Sequence, residues 1–386
     1  MFFSARVSDD TINPITAAEQ AARNSGEALL NLSDSNPTRC GLGPVVLPGT
    51  YIPNPQGPEL DRRALAEFLE RDQSRVVSPQ HLYLLSSTSQ GYAYLMKLLC
   101  DSGDVVLAPV PGYPLVEQIA NLEEVRVIGY PLQLHDEWRI DLTRINEILG
   151  SPEGGRVRAI VAINPNNPTG SYLQTDEIMR LSEIAAEHDI AIIADEVFHE
   201  YPLHETGRSA SRFAGNPKCL TFALDGLSKQ LAAPQAKVAW IECSGPGPTL
   251  AAAQRRLDVI LDAFLPTSTI IAERLPELLA AVPTQRERVL ERCRENLSTL
   301  RNLVATHPSV NLLEPAGGWS ALLRFPAHID EDSLVTRLIG TYKTTVQPGY
   351  FFDMPLPGFV SVSLLLPPTD FRSGTEKLLV ELQNGC

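Results

Sequence analysis

Cationic side chains are in deficit in this sequence: 32 lysines and arginines stand against 46 aspartates and glutamates, a net charge of −14. A chain of that sign is poorly suited to nucleic acid or to an anionic membrane, because phosphate surfaces reward Lys and Arg. No apolar run approaches the roughly 20 residues that a membrane span requires. The opening MFFSARVSDDTINP has no basic segment followed by an apolar one. Cysteine is sparse and unpatterned. Cys40, Cys100, Cys219, Cys243, Cys293 and Cys386 form no CxxC pair and have no histidine at ligand spacing. They read as packing thiols of a reducing compartment, and the expected location is cytoplasmic. There is no internal repeat and no low-complexity stretch. What is present is ordinary for a globular chain, 44% hydrophobic and 20% charged, and its 386 residues suit a large domain with a smaller one.

Short apolar runs alternate with helix-patterned segments. DVVLAPV (104–110), VRVIGYPL (125–132), VRAIVAI (157–163), IAIIAD (190–195), CLTFAL (219–224) and AKVAWIEC (236–243) read as strands. TDEIMRLSEIAAEHD (175–189) reads as a helix. Continuous apolar strands separated by helices predict a mostly parallel sheet covered on both faces, an α/β class. A long helical region is expected over 248–306. After it, SVNLLEP, WSALLRFP and the tail TEKLLVELQ suggest a smaller α+β domain. The expected division is an N-terminal arm over 1–50 that packs with the small domain, a large domain over 51–280, and the small domain over 281–386.

Ligands of parallel α/β sheets bind outside the carboxyl ends of the strands. Three of these strands end in unusual polar residues: Asn164 to Gly170, Asp195 with Glu196, and Ser228 with Lys229. A lysine, an acid and an asparagine meeting in one crevice suggest pyridoxal 5'-phosphate. That cofactor needs a lysine for its Schiff base, a carboxylate partner for its ring nitrogen, and amides, hydroxyls and a cation around its phosphate.

With those motifs in their order, nearly the whole chain resembles the class I and II aminotransferases, pyridoxal-phosphate enzymes of fold type I. In NPNNPTG the resemblance implies Asn167 on the cofactor's ring oxygen. In IIADEVFHEY it implies Asp195 as partner of the ring nitrogen. In DGLSKQLAAPQAKVAW it implies Lys229 as the Schiff-base residue, with Ser228 and Lys237 also on the cofactor. SSTSQGYAYLMKLL places Ser87, Thr88 and Ser89 around the phosphate, and PVPGYP places Tyr113 where an aromatic stacks on the ring. YIPNPQGPELDRRALAEFL resembles the entry segment whose tyrosine, here Tyr51, reaches the neighbouring subunit's phosphate, which implies a homodimer.

The chain departs from that pattern in four places. Phe198 stands where a tyrosine is usual, so one hydroxyl near the ring oxygen is missing. Gly226 replaces a serine, and Lys237 replaces an arginine, giving a point charge instead of a fork. In GFVSVSLLLPP, Ser361 occupies the place of the arginine that grips the substrate carboxylate. Arg39, in DSNPTRCG, is the leading substitute, ahead of Arg324 and Arg372. Tyr350 to Phe352 either line an apolar substrate pocket or pack between domains. His199 reads as solvated or capping, and the run QRERVLERCREN (285–296) as a solvated helix face.

The leading expectation is an aminotransferase moving an amino group between an amino acid and a 2-oxo acid through Lys229. The alternative keeps the cofactor but performs elimination, replacement or cyclisation, since a fold does not dictate a reaction. A DNA-binding regulator built on the same fold is a third reading, which the acidic charge disfavours.

Overall fold

The computed structural model describes residues 1–6, 24, 50–204 and 211–384. Its larger sheet has eight strands: β1 (Leu82–Leu85), β2 (Val105–Val110), β3 (Arg126–Gln133), β4 (Arg139–Ile140), β5 (Val157–Ile163), β6 (Ala191–Asp195), β7 (Thr221–Gly226) and β8 (Ala239–Ser244). They lie in the order β1-β8-β7-β6-β5-β2-β3-β4. The middle, β7-β6-β5-β2-β3, is parallel. β8 is antiparallel to both β7 and β1, and β4 is antiparallel to β3. Two reversals leave β1 running in the same direction as β7. The carboxyl ends of β1, β2, β5, β6 and β7 and the start of β8 therefore share one edge.

The apolar runs are continuous because both faces of the sheet are covered. Val106, Val161, Ile193 and Phe222 pack on one side with the helices Thr88–Leu99 and Gly247–Phe264. Their neighbours Val105, Ile160, Ile192 and Ala194 pack on the other with Leu142–Leu149 and Thr175–Glu187. This is the alternation of a pleated strand, with apolar residues at both phases. Cys100, Cys219, Cys243 and Cys293 are buried free thiols; Cys40 and Cys386 lie outside the described residues.

A second, antiparallel sheet joins β9 (Asn311–Leu313), β10 (Ser320–Arg324), β11 (Gln347–Pro348) and β12 (Phe359–Ser363) in the order β11-β12-β10-β9. It packs on the helices Leu275–Val304, Glu331–Tyr342 and Pro368–Asn384 through Leu290, Leu297, Leu323, Val360, Leu334 and Leu379. The division expected near residue 280 falls inside Leu275–Val304. The first turns of that helix, with Leu275, Leu279 and Val282, pack against Leu65 and Leu69 of the helix Glu59–Gln73. From Val289 onward it belongs to the small sheet's core. Residues 1–6 lie along Thr88–Leu99, where the Ser4 amide donates to the Leu98 carbonyl at 3.0 Å. Most of the N-terminal arm, Arg39 included, lies outside the described residues.

Candidate active site

At the shared edge, Ser87, Thr88, Ser89, Tyr113, Asn167, Asp195, Ser228, Lys229 and Lys237 line one cavity of about 260 Å³. Nine positions scattered over 151 residues of chain meet because five strand exits and one strand entry do.

One end of the cavity could hold an anion. Ser87 caps the helix Thr88–Leu99, its side chain accepting from the Gln90 amide at 3.2 Å. Amides in a first helical turn have no partner within the helix, and the helix dipole adds positive potential there. The helix comes this close to the sheet because residue 91 is glycine. A Cβ there would stand 2.7 Å from Leu224 Cδ2. Lys237 completes this end, in a left-handed backbone conformation (φ 50°) just before β8 begins.

The opposite end holds a buried carboxylate. Asp195 terminates β6 and is 7% exposed. Its Oδ2 accepts from the Tyr92 hydroxyl at 3.0 Å, and its Oδ1 from the Val197 amide at 3.3 Å. Burial raises its pKa to about 6 against the lowering effect of those two donors and of Lys229. No cation is recorded in bonding contact with it among the described residues.

Lys229 lies in the short helix Leu227–Gln230 that follows β7. Burial lowers its pKa, and the charge of Asp195 opposes that. Its Nζ faces the rings of Phe198 and Trp319 at 5.2 and 5.1 Å, and its backbone carbonyl accepts from the Tyr201 hydroxyl. Gly226, three residues earlier, has no room for a side chain: a Cβ would sit 2.9 Å from Ala239 Cβ and 3.0 Å from the Val238 carbonyl. The glycine lets β7 and β8 stay paired up to the lysine.

The asparagines of NPNNPTG divide the labour. Asn164 Oδ1 accepts from the Leu173 amide at 3.0 Å. Asn166 donates to the Pro111 carbonyl at 3.2 Å and accepts from the Thr169 hydroxyl at 2.9 Å. Those two tie the loop down and tie it to the β2 exit, which leaves Asn167 as the half-buried member facing the cavity. Gly170 (φ 70°) closes the turn where a Cβ would meet Pro315 Cβ at 2.5 Å.

Several expectations meet a different structure. His199 is 1% exposed, within reach of Glu200, the Ser211 carbonyl and Arg212, so it is neither solvated nor a cap. Its neighbourhood is a buried charge cluster in which Arg212 pairs with Glu200 and lies 3.8 Å from Glu196. The run 285–296 is not wholly solvated either. Arg286 turns inward to Asp72 (2.9 and 3.1 Å) and Gln230 (2.6 Å). Ser361 is buried in β12 opposite Leu322 and Gln347, away from the cavity. Arg324 stacks over Phe359 at 5.8 Å, and Arg372 lies on the surface 3.8 Å from Glu376. Among the described residues no arginine lines the cavity. Tyr350 to Phe352 are not in its lining; the Phe352 carbonyl accepts from the Gly112 amide at 3.0 Å, joining the β2 exit to the small sheet's loop. Tyr51 is 38% exposed and outside the cavity.

Tyr92 and Trp319 were not singled out by the sequence. The signal for Tyr92 was available: it lies four residues after Thr88, hence on the same helix face one turn below the anion-binding end. Trp319 carried no local signal, because only the packing of β10 beside the lysine loop brings it in.

The donor set fits a group with a phosphate at one end, a basic ring nitrogen at the other, and a carbonyl carbon between them. A carboxylate buried without a bonded cation suits a protonated ring nitrogen. A hydroxyl-lined helix N-terminus with a lysine suits a phosphate dianion. An amine whose pKa is lowered by burial suits a carbonyl.

A family model for aminotransferase class I and II matches residues 50–378. The glutamate-pyruvate aminotransferase AlaA of Escherichia coli K12 is 26% identical over 319 residues, covering 80% of this chain and 76% of its own. The S-alkyl-thiohydroximate lyase SUR1 of Arabidopsis thaliana is 30% identical over 225 residues, covering 56% of this chain and 46% of its own. The solved structure of an alanine aminotransferase from Pyrococcus furiosus superposes with a TM-score of 0.80 at 17% identity, covering 96% of both chains. At that identity the likeness is one of fold.

Proposed function

The chain belongs to the class I and II aminotransferases and is a pyridoxal-phosphate-dependent enzyme of that kind, and we propose that the nine cavity residues are its working parts. Bound pyridoxal phosphate supplies an electron sink for the carbanion formed at the amino acid's α-carbon. Ser87, Thr88, Ser89, Ser228 and Lys237 would hold the phosphate. Asp195 would hold the ring nitrogen, Asn167 the ring oxygen, and Tyr113 would cover one ring face. Lys229 would hold the cofactor covalently at rest. Its Nζ is also the group that would take the proton from the amino acid's α-carbon and hand it on to the cofactor side of the cavity instead of giving it back. Such an amine needs a free lone pair near neutral pH, and burial beside Phe198 and Trp319 favours the neutral form. The observation that carries this reading is the convergence of an amine, a buried carboxylate and a hydroxyl-lined helix N-terminus on one cavity.

The substrates are an amino acid and a 2-oxo acid. With no arginine in the cavity lining among the described residues, Asn167 would meet the substrate carboxylate there as well as the ring oxygen. Arg39 stays the proposed clamp from the N-terminal segment. Tyr51, exposed and outside the cavity, supports a homodimer in which it serves the partner's site. Four buried free thiols support a reducing, cytoplasmic location. No described helix is long and apolar enough to cross a membrane.

The test is a single turnover. Holoenzyme mixed with one amino acid at a time, without 2-oxo acid, is expected to release one equivalent of the corresponding 2-oxo acid per site and to leave the cofactor aminated. In Lys229→Ala the turnover should fall by about 10³-fold or more. Sustained release of ammonia would instead support the elimination reading that the likeness to a lyase raises. Undiminished turnover in Lys229→Ala would overturn the site.

A further inference from the structure

We propose that Tyr92 is a positioning residue that sets the basicity and aim of Asp195, and through it decides where the proton shared with the cofactor's ring nitrogen resides. The inference rests on reading the cavity as the cofactor site.

Tyr92 is 2% exposed in the helix Thr88–Leu99. A buried phenol must give its proton to an acceptor or lose the hydrogen bonds it made to water. A phenylalanine would fill the same space, so the hydroxyl needs a reason of its own. The acceptor it uses is Asp195 Oδ2, at 3.0 Å. The other oxygen of the carboxylate takes the Val197 amide at 3.3 Å. Each oxygen has two lone-pair positions, so both can accept one donor from the protein and one of them a further donor from the cavity. Two donors from different elements, one below and one beside, leave the carboxylate a single orientation.

The charges around this pair act in both directions. Lys229, from the β7 exit, favours the ionised carboxylate, and Glu196, next along the chain, opposes it. Tyr113, from the β2 exit, and Tyr130, on β3, face the Tyr92 phenol and are themselves held protonated by burial. Tyr92 is likewise held far above the range in which it would ionise, by burial first and the Asp195 charge second. It is thus a permanent donor at working pH. A proton shared between a carboxylate and a ring nitrogen sits on the nitrogen when the carboxylate is the weaker base. Each hydrogen bond given to the carboxylate weakens it as a base. Burial alone would make Asp195 too basic, and Tyr92 is the side-chain donor that opposes burial.

The experiment substitutes Tyr92→Phe, which removes one oxygen atom, and 3-fluorotyrosine in place of Tyr92, which makes the donor stronger. In cofactor-free protein, the Asp195 carboxyl is titrated by carbon NMR of aspartate-labelled samples, the resonance being assigned by its absence in Asp195→Asn. Tyr92→Phe should raise that pKa by about one unit and the fluorinated phenol should lower it, the worth of one hydrogen bond to a charged group. In holoenzyme, the acid limb of kcat/KM against pH should move the same way for each. A Tyr92→Phe protein with a lowered melting temperature but an unmoved carboxyl titration and an unmoved acid limb would overturn the proposal. If Tyr92→Phe does not fold, the fluorinated variant decides alone: a downward shift supports the proposal, and no shift overturns it. The cofactor-free titration reads the tyrosine–aspartate contact without relying on the functional reading. Failure of the wild-type protein to bind the cofactor would sink that reading and leave the titration as it stands.

Discussion

The Nζ of Lys229 lies 5.1 Å from the centre of the Trp319 ring, with the Phe198 ring 5.2 Å away on another side. Trp319 in turn meets Phe198 and Tyr201 edge-on at 5.3 and 5.1 Å. The lysine is therefore framed by aromatic surface, and its amine is desolvated by residues from the β10 entry and from the β6 exit. Aromatic faces attract an ammonium, but they offer it no lone pair. Burial lowers its pKa, and the charge of Asp195 opposes that.

That frame makes Phe198→Tyr informative. The added hydroxyl, if it reaches the cofactor's ring oxygen, donates to it and stabilises its anionic form. The visible absorbance of the resting holoenzyme should then titrate at lower pH, by about half a unit to one unit. An unmoved titration would mean that the Phe198 ring points its para position away from the cofactor.

Asp195 predicts a pH dependence of stability in the cofactor-free protein. Burial raises its pKa from 3.8 to about 6. Below about pH 4 the carboxyl is protonated in both folded and unfolded chains. Between about pH 4 and 6 the unfolded chain releases the proton and the native one keeps it, so stability falls as pH rises and levels off above that window. The two-unit shift corresponds to about 3 kcal/mol at most. Denaturant unfolding of wild type and Asp195→Asn across this range should show the fall in wild type and its loss in the variant. Parallel curves would contradict the desolvation of Asp195.

Arg286 joins elements far apart in sequence. Its guanidinium forms a two-pronged pair with Asp72 and donates to Gln230 at 2.6 Å, next to Lys229 in the chain. Glu200 lies 3.7 Å away. Gln230 passes the contact on by donating to the buried Asp225 at 2.6 Å. Arg286→Leu leaves Asp72 without its cation, while Glu200 keeps Arg212, and should destabilise the fold by about 3 kcal/mol. A lower urea midpoint at unchanged slope would report it. A change under about 0.5 kcal/mol would mean that the cluster is solvated.

Much of the large sheet was legible because its strands are apolar at both phases. VRAIVAI emerged as β5 with the expected bounds, and IAIIAD as β6 shortened by one residue. Periods of two and 3.6 are local properties that a sequence displays. The two-stranded edges were less visible. β1 is four residues long and β4 two, too short to carry a pattern, and the reversal of β8 depends on pairing with strands elsewhere in the chain. The charged run 285–296 looked solvated because charge is read locally, whereas the burial of Arg286 is decided by Asp72, 214 residues away.

The sequence by itself determined which residues could do the chemistry. NPNNPTG, Asp195, the Ser-Lys pair and the serine-rich helix start each bear their chemistry in their own side chains and turns. Tertiary structure alone decided what surrounds them: Tyr92 beneath Asp195, Trp319 and Phe198 against Lys229, and an arginine-free cavity lining among the described residues. The physical reason is that a functional group's identity is covalent, while its pKa, its solvent and its partners depend on what the sheet order brings within a few ångströms.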